Sequence, residues 1–335
     1  MKAIVFTQSG GSDVLRLVER PVPEPGAGEV RVAVRLSGVN PTDWKGRAGG
    51  RSAGEQVPNQ DGAGVVDAVG AGVDPARVGQ RVWIWEAAWQ RADGTAQEYL
   101  VLPEQQAVPL PEHASFELGA SLGIPAMTAH RALTLGPGAP ARLAPGALAG
   151  RHVLVAGGAG AVGNAAIQLA RWAGATVLTT VSSPEKAKLA AAAGAHHVID
   201  YRTEDAAAAV RALVPGGVDL VVEVATAANA GLDVAVLAPG GVVAFYADNS
   251  GDEVVLPVRE LMFRNLRWSG VLIYTIPAEA KADAVAAIVA AVAEGALRGG
   301  EEAGLPWHRY PLARTAEAHD AVEGAVVGKV LIDVG

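Results

Sequence analysis

One stretch of the sequence decides the fold class: Val153-Leu154-Val155-Ala156-Gly157-Gly158-Ala159-Gly160-Ala161-Val162-Gly163. A short apolar run, typical of a buried strand, leads into Gly157, Gly160 and Gly163, and a helix-like segment over residues 164–173 follows directly. Strand, glycine turn and helix in this order are the fingerprint of a dinucleotide-binding βαβ unit. The glycines would allow a tight turn, close approach of a pyrophosphate to the backbone, and close packing of the helix on the strand.

The segments that follow the glycines indicate which nucleotide is bound. The N–H groups at the predicted helix start would face the phosphates with the helix dipole behind them. An NAD site usually carries Asp or Glu at the end of the second strand, here predicted over residues 176–181, but no carboxylate stands there. Ser182 and Lys186 could instead hold a 2′-phosphate, which favours NADPH. The alternative is a solvated helix lysine and loose cofactor choice.

Composition excludes several classes of protein. The chain has 335 residues, of which 50% are hydrophobic and 19% charged, which predicts roughly two globular domains. The net charge of −8, without a basic block, argues against nucleic acid as a partner. The absence of cysteine excludes disulfides and thiolate metal sites. No apolar run reaches membrane-span length and no signal-peptide pattern opens the chain, so we expect a cytoplasmic protein without a membrane segment.

The pattern of elements predicts two kinds of domain. The first third is strand-rich and predicts an all-β domain, with strands over residues 2–7, 15–19, 30–36, 64–68 and 81–85. A helix over residues 118–135, broken by Pro125, comes next. From residue 151 strands and helices alternate, which predicts a doubly wound parallel sheet with strands over residues 152–156, 176–181, 197–201, 218–224, 241–246 and 266–271. A long helix over residues 277–297 precedes two closing strands, over residues 308–312 and 328–332.

Ordered segments along nearly the whole chain resemble a known family. They lie at residues 37–44, 61–66, 79–82, 123–133, the glycine turn and 328–330. The chain resembles the zinc-independent quinone oxidoreductase branch of the medium-chain dehydrogenase/reductases, the group that contains ζ-crystallin. The resemblance implies a split GroES-like β-barrel domain from residues 1–125 and 273–335. A Rossmann NADP-binding domain over residues 126–272 would complete the molecule, with the active site in the cleft.

The same resemblance bears on metals. Asn40, Gln60-Asp61 and Ile124 stand where zinc-dependent relatives place Cys, His-Glu and Cys. Two amides and an alkyl group cannot supply the three ligands of catalytic zinc, and the four-cysteine structural loop is also missing, so we predict no metal. Without a Lewis acid, reduction of an electron-poor acceptor is easier than alcohol oxidation.

The function implied is hydride transfer from NADPH to a quinone, without metal and with the proton taken from water. Two alternatives stay open: an NADPH-dependent reductase of enones, enals or enoyl thioesters, and a non-catalytic NADPH-binding structural or regulatory protein. The implied partners are a small hydrophobic quinone or enone and a second copy of the chain, paired through an edge strand near residues 266–274.

The family's functional positions map onto particular residues. The resemblance implies catalytic roles for Asn40, which could also cap a turn, and for Trp44, which forms either a substrate wall or core. Cofactor contacts are implied for Asn40, Thr128, Gly157, Gly160, Ala161, Val162, Gly163, Ser182, Lys186, Tyr201, Phe245, Tyr246, Val271, Ile273 and Lys329. Phe245 and Tyr246 share a predicted strand, so only one of them should face the cofactor. The family's tyrosine near the substrate is missing, and Gly49 and Gly50 predict a mobile loop instead.

Overall fold

The chain divides into two units. A computed structural model describes residues 1–49, 54–248 and 250–335, so Gly50 of the predicted mobile loop lies outside the described residues. Unit 1 comprises Met1–Ile124 and Pro306–Gly335, and unit 2 comprises Pro125–Leu305. The strands, in chain order, are β1 (Lys2–Val5), β2 (Arg16–Glu19), β3 (Glu29–Val39), β4 (Asp61–Val69), β5 (Arg81–Ile84), β6 (Tyr99–Pro103), β7 (Ala107–Pro109), β8 (His152–Ala156), β9 (Thr176–Val181), β10 (His197–Asp200), β11 (Val218–Glu223), β12 (Leu237–Phe245), β13 (Arg267–Gly270), β14 (Trp307–Pro311) and β15 (Lys329–Asp333). The helices are α1 (Pro41–Ala48), α2 (Phe116–Leu133), α3 (Ala161–Trp172), α4 (Pro184–Ala192), α5 (Ala206–Leu213), α6 (Thr226–Val236), α7 (Val258–Arg264), α8 (Ala278–Ala293) and α9 (Thr315–Glu323).

Unit 1 is built on a mixed sheet. Its strand order is β14-β15-β3-β4-β5-β7, with β6 also paired to β3, and every pairing except β14 with β15 is antiparallel. Along β3, Val30, Val32 and Val34 are buried, and the residues between them are partly exposed. This alternation gives the sheet one apolar face, and that face forms the core of the unit.

Unit 2 is a doubly wound parallel sheet, which confirms the predicted fold class. Its strand order is β10-β9-β8-β11-β12-β13, and all neighbours are parallel. The order reverses between β8 and β11. Because ligands of such sheets bind beyond the carboxyl ends of the strands at this reversal, the turn after β8 is the expected cofactor site.

Two expectations need correction. Helix α2 is not broken by Pro125 but continues through it, because the helix is almost wholly buried and packing offsets the lost backbone bond. Residues 273–305, expected in the barrel domain, belong to unit 2. Asn164 Nδ2 donates to Ala303 O (2.8 Å) and Gln168 Nε2 donates to Arg298 O (3.0 Å), so this segment is fixed to α3.

The lengths and compositions of the helices in the part of the chain that the structure describes bear on membrane crossing. None of its helices combines the length and apolar character that crossing a bilayer requires.

Candidate functional site

The glycine turn joins β8 to α3 in unit 2. Gly157 has φ +68°, a left-handed conformation that favours glycine. A Cβ atom at Gly163 would lie 2.4 Å from the Gly157 carbonyl oxygen and 3.0 Å from the Gly158 Cα, so the helix could not pack this closely with any larger residue. Gly157 therefore makes the turn, and Gly163 brings α3 onto the strand.

Gly160 differs from its two neighbours in the motif. It is the N-cap of α3, and a Cβ atom there would meet nothing nearer than the Gly157 carbonyl oxygen at 3.4 Å. The fold itself therefore does not require glycine at this position. The N–H groups of Ala161 and Val162 lie in the first turn of α3, where no intrahelical acceptor exists. The bare backbone at Gly160, beside N–H groups that have no intrahelical acceptor, fits a pyrophosphate.

The end of β9 brings Ser182 and Lys186 together. Lys186 Nζ donates to Ser182 Oγ (2.9 Å), and the Lys186 backbone N–H donates to Ser183 Oγ (3.3 Å), which caps α4. Glu185 does not join this pair. A backbone N–H and the Ser183 hydroxyl lower the pKa of Glu185, so its carboxylate is engaged at the helix start. An ammonium and a hydroxyl thus remain as a pair suited to a phosphate.

The remaining predicted residues of unit 2 lie on α2 and at or just beyond the carboxyl ends of β10, β12 and β13. Tyr201 follows β10, is 53% exposed, and its backbone N–H donates to Val181 O (3.2 Å) beside Ser182. Thr128 is buried in α2. Phe245 ends β12, and its carbonyl accepts from Val271 N–H (2.8 Å) after β13.

Tyr246 and Ile273 lie beyond the strand ends. Tyr246 follows β12 rather than sharing the strand with Phe245, and its backbone N–H donates to Glu223 O (3.1 Å). Burial and the Glu223 carboxyl raise the pKa of Tyr246, so its hydroxyl stays protonated. Ile273 is buried in the short turn after β13.

A pair of buried carboxyls, which was not predicted from the sequence, lies at the sheet reversal. Glu223 ends β11 and accepts from Ala225 N–H and from Asn229 Nδ2 (3.1 Å). Asp233, on α6, is fully buried, and no donor among the described residues reaches its oxygens. Burial and the Glu223 carboxyl raise the pKa of Asp233 to about 9. Asp233 is therefore protonated and donates a hydrogen bond to the Glu223 carboxylate.

Unit 1 contains a buried cluster of Asn40, Asp61 and Lys329. Lys329 Nζ donates to Asn40 Oδ1 (2.7 Å) and to Asp61 Oδ2 (3.2 Å), and Asn40 Nδ2 donates to Asp61 Oδ2 (2.7 Å). The three residues are 3%, 0% and 2% exposed. Burial raises the pKa of Asp61, while Lys329 and Asn40 oppose that effect. The structure therefore joins the predicted residues Asn40 and Lys329 through Asp61, a site residue that the sequence analysis missed.

Neighbouring backbone makes room for this cluster. The Ile124 N–H donates to Asp61 Oδ1 (2.8 Å), and a Cβ atom at Gly123 would lie 2.1 Å from that oxygen. A Cβ atom at Gly38 would lie 3.0 Å from Lys329 Cε. Small residues on β3 and α2 thus leave the space that the aspartate and lysine fill.

Asn40 is also the N-cap of α1. Its backbone N–H donates to Asp43 Oδ2 (2.7 Å), which is the backbone contact expected of Asp43 at a helix start. Burial raises the pKa of Asp43 to about 8. Trp44, one residue on, is half-buried, with Lys45 Nζ 5.9 Å from its ring centre. Asn40 therefore does cap a helix, while its side-chain amide stays committed to Asp61 and Lys329.

Comparison with known proteins places the chain in a family. Residues 26–112 match the alcohol dehydrogenase GroES-like domain, and residues 161–290 match the domain described as zinc-binding dehydrogenase. Quinone oxidoreductase from Rattus norvegicus is 31% identical over 339 residues, which cover 99% of this chain and 97% of the relative. The human enzyme is 30% identical over the same length and shares of each chain. The chain belongs to the quinone oxidoreductase family of medium-chain dehydrogenase/reductases.

Solved structures agree with this assignment. An NAD-dependent alcohol dehydrogenase has a TM-score of 0.87 at 32% identity, with all of both chains covered. Escherichia coli quinone oxidoreductase in complex with NADPH has a TM-score of 0.81 at 25% identity, with 99% of this chain and 100% of that chain covered. The predicted family and the pairing of a Rossmann with a GroES-like domain are confirmed.

The description of the domain matched by residues 161–290 includes zinc binding. Within residues 1–49, 54–248 and 250–335, no three His, Cys, Asp or Glu side chains gather as a metal site would require. Asp61 is committed to Lys329, Asn40 and Ile124.

Proposed function

We propose that this family member is an NADPH-dependent reductase of quinones that works without a metal. The contact between Lys186 Nζ and Ser182 Oγ at the end of β9 carries the proposal, because it puts a cation and a hydroxyl where an NAD site has a carboxylate. The quinone is supported by relatives named quinone oxidoreductases.

The residues of unit 2 would hold the cofactor from its phosphates outward. The glycine turn and the N–H groups of Ala161 and Val162 would bind the pyrophosphate, and Ser182, Lys186 and Tyr201 the 2′-phosphate. Further along, Thr128, Phe245, Tyr246, Val271 and Ile273 would contact the nicotinamide end. When bound, NADPH supplies the hydride.

Asn40 and Lys329 would act on the charge that develops during reduction. Their donors are held by Asp61 before any ligand arrives, and fixed donors stabilise a developing oxyanion without reorganising. We assign the amide of Asn40 and the ammonium of Lys329 to the nicotinamide carboxamide or to the acceptor oxygen, and Trp44 to the wall of the substrate site. Water supplies the proton.

Cofactor consumption tests the proposal. NADPH and NADH oxidation would be followed by absorbance with 1,4-benzoquinone and with a simple enone, each with and without EDTA. We expect rapid, EDTA-insensitive loss of NADPH with the quinone. Faster loss with the enone would reassign the chain as a double-bond reductase. Tight NADPH binding without turnover would point to a non-catalytic role, and inhibition by EDTA would contradict metal independence.

We further propose that the chain forms a homodimer through the free edge of the unit 2 sheet. Strand β13 ends the strand order, and nearby α7 exposes Val258, Met262 and Phe263 by 68%, 72% and 73%. Phe263→Glu should halve the mass measured by light scattering, while Leu213→Glu, at an exposed apolar position on α5, should not. A wild-type monomer would contradict this.

A further inference from the structure

A line of buried hydrogen bonds runs from α9 to Asp61 inside unit 1. His319 Nε2 bonds to Asn59 Oδ1 (3.0 Å), Asn59 Nδ2 donates to Ser37 Oγ (2.9 Å), Ser37 Oγ lies 2.7 Å from Thr95 Oγ1, and Thr95 Oγ1 donates to Asp61 O (2.6 Å). All five residues are at most 1% exposed. The line ends on the residue whose carboxylate holds Asn40 and Lys329.

The Asp61 carbonyl, at the far end of the line, determines which group donates in every hydrogen bond. The Asp61 carbonyl can only accept, so the single hydroxyl proton of Thr95 is used there. Ser37 must then donate to Thr95 and accept from the Asn59 amide, which leaves the Asn59 oxygen as an acceptor. His319 must therefore carry its proton on Nε2.

The surroundings of His319 keep it neutral. Burial, together with the charge of Arg47, lowers the pKa of His319 to about 3. Its Nδ1 atom has no acceptor within hydrogen-bond distance among the described residues, so a second proton there would be unsolvated. The donor at the start of the line is thus permanent across the physiological pH range.

We propose that His319, Asn59, Ser37 and Thr95 are positioning residues that fix the main chain of Asp61 and, through its carboxylate, set Asn40 and Lys329 for reduction. Aligned donors polarise one another, so the bond to the Asp61 carbonyl is strengthened by those behind it. Thr95 also packs on Gly62, the residue after Asp61, since a Cβ atom at Gly62 would lie 3.0 Å from Thr95 Cγ2. The effect on turnover rests on the proposed function.

Thr95 gives the sharpest test because two matched variants exist. Thr95→Val keeps the shape and removes the donor, whereas Thr95→Ser keeps the donor. Since one lost hydrogen bond is worth about 1 kcal/mol, we expect kcat with 1,4-benzoquinone to fall ~5-fold in Thr95→Val and to hold in Thr95→Ser, with little change in the KM for NADPH. Equal kcat in wild type and Thr95→Val, or equal loss in both variants, would overturn the proposal.

Hydrogen exchange and NMR test this proposal without an activity assay, so their results do not depend on the proposed function. The Ile124 amide donates to Asp61 Oδ1, so its hydrogen exchange reports where Asp61 lies. Exchange should be faster in Thr95→Val and unchanged in Thr95→Ser, even if the wild type does not reduce quinones. Nitrogen-15 NMR should find His319 neutral and protonated on Nε2 from pH 7 to pH 5. Unaltered Ile124 exchange in Thr95→Val, or an Nδ1-protonated His319, would overturn it.

Discussion

The glycine-turn region of unit 2 and the buried cluster of unit 1 differ in how their charged side chains are held. Lys186 and Ser182 are four residues apart, only partly buried, and supported by a helix start. Asn40 and Lys329 are 289 residues apart and almost fully buried, and Asp61 holds both. A phosphate brings a full negative charge of its own and needs only an accessible set of donors. A developing oxyanion needs donors that are already fixed and dry.

This difference predicts unequal costs when each lysine is removed. Lys329→Met leaves Asp61 buried without its counter-charge, so the free energy of unfolding should fall by about 3–5 kcal/mol. Lys186→Met loses only a partly exposed contact and should cost less than about 1 kcal/mol. Urea unfolding of both variants measures the contrast.

The double variant Asp61→Asn/Lys329→Met serves as the control for that experiment. It removes both charges together and should recover much of the stability that Lys329→Met loses. A loss below about 1 kcal/mol for Lys329→Met alone would contradict the strong dependence of buried Asp61 on Lys329.

The second contrast lies within the glycine turn. Gly163→Ala places a methyl group 2.4 Å from the Gly157 oxygen and should destabilise the protein by about 1–3 kcal/mol. Gly160→Ala meets nothing closer than 3.4 Å, so it should cost less stability than Gly163→Ala, through the weaker N-cap alone, and should weaken NADPH binding. Thermal unfolding and NADPH titration separate the two effects. Equal destabilisation by both variants would contradict these assignments.

The third prediction concerns the 2′-phosphate. Loss of one charge-assisted contact of about 1.5 kcal/mol or more should raise the NADPH Kd of Lys186→Ala about tenfold, with the NADH Kd unchanged. Lys188→Ala, on the exposed side of the same helix, is the matched control and should change neither. Nucleotide titration by fluorescence measures both constants. An equal loss for NADPH and NADH would remove Lys186 from the phosphate site.

The smallest expected effect is at Glu185. Its pKa is held below the ordinary value of 4.5 by a backbone N–H and Ser183, so the ionised carboxylate stabilises the helix start above that pH. This stabilisation is lost as the pH falls through the lowered pKa. Glu185→Gln should therefore lower the urea midpoint slightly at pH 7 and not at pH 3. A pH-independent difference would contradict the assignment.

The same two regions explain what the sequence could predict. The glycine turn and its flanking strands are local features, and β8 and β9 were predicted with their observed bounds. The buried cluster depends on residues brought together by the sheet, so Asn40 and Lys329 were reached only through the family resemblance. Asp61 and Glu223 were missed, although each is a buried carboxyl at the terminal position of a largely buried strand.

The errors also have physical causes. Pro125 predicts a helix break when only the lost backbone hydrogen bond is considered. The burial of α2 outweighs that cost. The boundary expected at residue 273 failed because contacts of Asn164 and Gln168 with residues 298–303 are 130 or more positions apart in the chain. Local patterns do not encode such contacts.

The central claim is that the two regions perform separate tasks, and one kinetic comparison tests it most directly. Initial rates of 1,4-benzoquinone reduction would be measured in the wild type, Lys186→Ala and Asn40→Ala with NADPH and with NADH. We expect Lys186→Ala to raise the KM for NADPH alone, at unchanged kcat, whereas Asn40→Ala should lower kcat with both cofactors. If both variants change the same parameter for the same cofactor, the division of tasks is contradicted.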